Sequence, residues 1–119
     1  MTTVTDRSRY IIISHFKRRL NMFILNLTYE KPITEVEKFL PAHIDYLNQN
    51  YEAKNFICSG RKNPRTGGII LCNSSTKENV EQLIKNDPFF KEKIARYEII
   101  EFIPSKYLPS FQAILEETN

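Results

Sequence analysis

Residues 55–73 read NFICSGRKNPRTGGIILCN. Two apolar runs, Phe56-Ile57-Cys58 and Ile69-Ile70-Leu71-Cys72, flank a turn holding Asn63-Pro64 and Gly67-Gly68, which is the pattern of a β-hairpin over Asn55–Lys62 and Gly67–Asn73. On its N-terminal side lies a helical pattern from Thr34. Val36, Leu40, Ile44, Leu47 and Tyr51 recur every three or four residues and fall in one stripe. Pro41 interrupts the backbone hydrogen-bond ladder, so this segment is expected to be either a kinked helix or two helices with Pro41 in the first turn of the second. On the C-terminal side, Ser75-Thr76-Lys77-Glu78 matches a capping box opened by Ser75, and Val80, Leu83 and Ile84 supply a buried helical face. Phe89–Ala95 predicts a further turn or two of helix. At the flanks, Met22–Tyr29 alternates as a strand ended by Lys31-Pro32, and Tyr97–Ile103 is a strand stopped by Pro104. The order β-α-β-β-α-β predicts an α+β, ferredoxin-like sandwich, with a four-stranded antiparallel sheet and both helices on one face.

A chain of 119 residues supports one domain. Its balance of 41% hydrophobic and 26% charged residues excludes a disordered chain, and no apolar run approaches the roughly 18–20 residues that span a bilayer. The net charge of +3 is unevenly placed. Residues 1–21 carry Arg7, Arg9, Lys17, Arg18 and Arg19 against Asp6 alone, while residues 22–119 hold 12 basic and 13 acidic side chains. A near-neutral body argues against nucleic acid as a partner. RNA-recognition modules share the predicted fold, but the third strand, Gly68–Cys72, offers no aromatic on which a base would stack. His43, Asp87 and the two cysteines show no metal-ligand spacing.

Residues 1–21 read as a basic extension, acid-poor and rich in hydroxyls, with a faint transit-peptide character. The domain is expected over residues 22–107, and Phe111, Ile114 and Leu115 mark a short helical tail within 108–119. The apolar run Tyr10–Ile13 is too short for a secretory signal, which points to a cytoplasmic, reducing location. Cys58 and Cys72 are therefore expected to be reduced, and counting around the hairpin makes them near cross-strand neighbours. The strands are apolar on both parities, Ile99 and Ile103 against Ile100 and Phe102, and Ile69 and Leu71 against Ile70 and Cys72. The sheet face away from the helices would thus be an apolar patch, and a second copy packed sheet to sheet is the simplest cover.

His43 is the single histidine after residue 21. Counting about 100° per residue from Val36 places it inside the apolar stripe, and the same count from Val80 places Asp87 on the inner side of the second helix. Two inward residues on neighbouring helices can meet, and a carboxylate on an imidazole N–H fixes its tautomer and supports its action as a base. The same features also fit a satisfied core histidine and an aspartate that caps the Phe89–Ala95 turn.

From Met22 to about Tyr107 the chain resembles the YCII-related family of small dimeric α+β barrel proteins. The resemblance rests on Met22-Phe23-Ile24-Leu25, Pro41-Ala42-His43 followed by Ile44 and Leu47, Ser59-Gly60, Pro64-Arg65-Thr66-Gly67-Gly68, and Asp87-Pro88-Phe89. It implies a homodimer and a His43–Asp87 active-site dyad. Arg61 departs from the Gly-Pro that commonly follows the second strand. The family's fold resembles that of muconolactone isomerases and small cofactor-free monooxygenases, and some relatives act in the breakdown of aromatic compounds. The expected function is proton transfer or elimination on a small organic molecule, with no cofactor and no metal. Ser59 and Arg61 are the candidate ligand-binding residues, while Arg65 reads more simply as part of a solvated turn. The alternative is a non-catalytic, small-ligand-binding or regulatory dimer.

Overall fold

The computed structural model describes residues 18, 19 and 21–117. Most of the expected N-terminal extension therefore lies outside the described residues. The elements run β1 (Arg18–Arg19), β2 (Asn21–Tyr29), α1 (Ile33–Glu52), β3 (Phe56–Arg61), β4 (Gly67–Ser74), α2 (Lys77–Ile84), α3 (Pro88–Lys91) and β5 (Ala95–Phe102). A 3₁₀ turn (Pro109–Phe111), α4 (Gln112–Leu115) and β6 (Glu116–Glu117) complete the chain. The main sheet has four antiparallel strands in the order β3-β4-β2-β5, as the ferredoxin-like reading requires. β1 pairs with β6 in a separate two-residue ladder.

β2 is central, with both its edges paired and its helix-facing side, from Phe23 to Tyr29, made of buried or half-buried apolar and aromatic residues. Its Phe23, Leu25 and Leu27 bury against Val36 and Tyr46 of α1, Val80 and Ile84 of α2, and Phe89 of α3. Where β4 begins, Gly67 lies against the β2 backbone, and a Cβ there would stand 1.8 Å from the Leu27 carbonyl oxygen. No side chain fits that approach. On the opposite face Ile24, Ile69 and Leu71 are half-buried, and Ile100 and Phe102 are 43% and 44% exposed.

Three local expectations change. Of the two alternatives for α1 the single helix holds, with Pro41 inside it, but the phase of its buried face differs from the expected one. Pro41 and Glu37, whose carbonyl loses its partner, are both exposed, so water can satisfy the freed group. The buried residues of α1 are Val36, His43, Tyr46 and Asn50, a stripe rotated from the apolar one, and Ile44 is 45% exposed. α2 is capped by Thr76 rather than Ser75. Thr76 is extended, its Oγ1 accepts from the Asn79 N–H at 3.1 Å, and Ser75 Oγ takes the Asn79 side-chain amide instead.

The hairpin holds the third change. Phe56 pairs with Cys72 but Cys58 pairs with Leu71, because Ile57 forms a bulge. One extra residue reverses the parity of the strand beyond it, so Cys58 and Cys72 point to opposite faces instead of meeting. Both are free; Cys58 is exposed, and burial pushes the Cys72 thiol up to about 12. A thiolate is the reactive form. Titration with an aromatic disulfide reagent between about pH 7 and 9 should therefore leave Cys72 unreacted in the native protein, and denaturation should bring the count to two thiols per chain.

Candidate active site

Asp87 lies beyond the last residue of α2 and is the N-cap of α3. Its position three residues after the end of α2, and directly before Pro88 at the first helical position, turns its carboxylate back toward the core. Oδ1 accepts the Phe89 backbone N–H at 2.9 Å and the His43 Nδ1–H at 2.8 Å. Oδ2 accepts the hydroxyl of Tyr97. The carboxylate is fully buried and has donors from three elements. An ionised carboxylate can only accept, so Nδ1 is the donor in this pair, and the neutral imidazole then has its lone pair on Nε2.

His43 is 7% exposed and stacks on Phe89, with ring centroids 4.0 Å apart and planes within 5°. Tyr46, one turn along α1, donates to the Leu83 carbonyl at 2.7 Å and so fixes α1 against α2. Burial, reinforced by the charge of Asp87, pushes the phenols of Tyr46 and Tyr97 well above their usual range. Tyr97 is thereby held as a donor to the carboxylate.

His43 borders a cleft of about 130 Å³ between α1 and the β3–β4 hairpin. Leu40, Ile44, Leu47 and Phe89 give it apolar walls, and Ser59 and Arg61 bring polar groups from β3. The cleft is smaller than the roughly 300 Å³ of pockets that hold drug-sized ligands, so it suits a body of about one ring. Ser59 Oγ shares a hydrogen bond with the Tyr51 hydroxyl. Arg61 sits across the ladder from Gly68. Arg65 is not part of the cleft; its guanidinium donates to Glu37 at 3.2 Å. A larger hollow of about 880 Å³ lies at the other end of α1, against the C-terminal tail, and contains neither His43 nor Asp87. Among the described residues no three His, Cys, Asp or Glu side chains gather as a metal ion would require, and no helix is long and apolar enough to cross a membrane.

The structure thus gathers His43, Asp87, Ser59 and Arg61 around one cleft, with Asp87 behind the imidazole. Sequence reasoning missed Tyr97 and Tyr51. A signal for Tyr97 existed, since it shares strand parity with Ile99 on the helix-facing side, where a phenol needs a hydrogen-bond partner.

A four-stranded antiparallel sheet under two helices, with a histidine and an aspartate meeting below them, defines a small α+β protein of a recognisable kind. Residues 22–103 match the family model of the YCII-related domain, and the chain belongs to that family. Among solved structures it is similar to 5-chloro-2-hydroxyhydroquinone dehydrochlorinase (TftG) from Burkholderia phenoliruptrix, determined in complex with 2,5-dihydroxybenzoquinone. The TM-score is 0.60 at 16% sequence identity, covering 75% of this chain and 97% of that one, a likeness of fold. Comparison with curated proteins gives no match.

Asp87→Ala should destabilise the protein by about 2–4 kcal/mol, the sum of a lost N-cap and of buried donors left without an acceptor. Tyr97→Phe removes a single donor and should cost less. Urea unfolding of the two variants beside the parent checks both size and order.

Proposed function

We propose that this protein catalyses proton transfer or elimination, isomerase- or lyase-like, on a small organic molecule derived from an aromatic compound. The observation that carries the reading is the His43 Nδ1–Asp87 Oδ1 hydrogen bond of 2.8 Å beside a cleft bordered by the same imidazole. Nε2 takes a proton from the ligand. The electron pair of that bond becomes a new π bond, and either a leaving group departs with its own bonding pair or an adjacent π bond yields its pair to the atom at which the proton returns. Asp87 and the face of Phe89 stabilise the imidazolium formed meanwhile. Ser59 and Arg61 are the ligand-binding groups. The electrons are rearranged within the ligand, so the step needs no redox cofactor. The similarity in fold to a dehydrochlorinase supports the elimination arm of the reading. His43→Ala should lower turnover by about 10²–10⁴-fold while changing ligand affinity far less, because the loss falls on the transition state. A screen of small aromatic and lactone compounds, read for binding and for turnover with and without His43, tests this. Compounds that bind but never turn over would replace the enzyme reading with that of a non-catalytic binding module.

We propose further that the chain forms a homodimer through the sheet face opposite the helices. Exposed Ile100 and Phe102, next to half-buried Ile24 and Leu71, support it. Light scattering at micromolar concentration should give twice the chain mass, and Phe102→Glu should halve it. A monomeric parent, or an interface made by the helices, removes the proposal.

A further inference from the structure

We propose that the cleft selects a carboxylate anion and that Arg61 is the residue that recognises it. The inference rests on the acid–base reading of the same site and narrows its substrate class.

The β3–β4 register sets Ser59 opposite Ile70 and Arg61 opposite Gly68, so both face α1, and no side chain on β4 covers the guanidinium. The neighbouring cations are engaged elsewhere. Lys62 donates to Thr28 Oγ1 at 3.3 Å on the far side of the sheet, and Arg65 pairs with Glu37 at 3.2 Å. Arg61 is exposed and has no hydrogen bond or ion pair among the described residues. Among the described residues no Asp or Glu lines the cleft. Asp87, behind the imidazole, is fully buried, with both oxygens accepting hydrogen bonds. The mouth of the cleft therefore carries one uncompensated positive charge above an apolar interior.

That arrangement fits a ligand with a single anionic end and an apolar body of about one ring. The planar guanidinium offers two parallel N–H donors, which match the two oxygens of a carboxylate. With the carboxylate held at the mouth by Arg61, the body lies along Ile44, Leu47 and Phe89 toward His43. Because Arg61 is exposed, solvent screens the pair, and the contribution is modest and salt-dependent.

Calorimetric titration of the full chain with benzoate, and with benzamide as its neutral counterpart of like shape, tests the proposal at low salt. Benzoate should bind about tenfold more tightly than benzamide. Arg61→Gln should bring the two affinities together, and Arg61→Lys should keep part of the preference. Arg65→Gln, which removes the same charge from the same loop, should keep all of it. Equal affinities in the parent, a benzoate preference that survives Arg61→Gln, or no benzoate binding at millimolar concentration each overturn the inference. Benzoate offers His43 neither a leaving group nor an acidic C–H, so the measurement is independent of turnover. A benzoate preference without turnover of any carboxylate leaves Arg61 recognition standing and removes the acid–base reading.

Discussion

The buried carboxylate of Asp87 is the constraint around which the molecule is arranged. A charge removed from water is tolerated when its lone pairs are satisfied, and here the donors come from α1, from the first turn of α3 and from β5. Each donor sits on a different element, so the helix, the turn and the strand must all be in place before the charge is stable. The same interaction orients an imidazole at the edge of a cleft. The carboxylate that caps α3 is also the one that meets the imidazole, so capping and candidate chemistry are one set of hydrogen bonds.

The imidazole is further fixed by its stack on Phe89, which follows from the cap itself. Asp87 starts α3, Pro88 occupies the first helical position, and Phe89 is delivered next to the ring that Asp87 holds. A three-residue run thus supplies the acceptor, the turn and the aromatic face. Tyr46, packed edge-on to Phe56 at 5.8 Å and bonded to the Leu83 carbonyl, keeps α1 at the depth this geometry needs.

The order of elements was legible because each strand and helix carries its own period of apolar residues, and the hairpin is marked by its prolines and glycines. The phase of α1 was less legible. Its innermost positions include His43 and Asn50, polar residues that a count of apolar side chains passes over, while Ile44 borders the cleft rather than the core. The period of α2, extended past its end, puts Asp87 inward, yet that helix ends at Ile84 and the inward turn comes from the α3 cap. Tyr97 donates across a sequence separation of ten residues, and nothing local names its acceptor.

Ile57 has no partner on β4, and that unpaired residue shifts the phase of the strand after it. The faces of a strand are assigned by counting, so the bulge decides which residues of β3 look into the cleft. In an unbulged ladder of this same sequence, Phe56 and Ser59 would lie on opposite faces, so with Phe56 kept in the core Cys58 and Gly60 would face α1 and Ser59 and Arg61 would join the outer surface. The sheet, the core and the hydrogen bonds of Asp87 would be untouched. The bulge therefore lets one strand serve two purposes from a single face, with Phe56 in the core and Ser59 and Arg61 at the cleft, an odd spacing that regular alternation forbids.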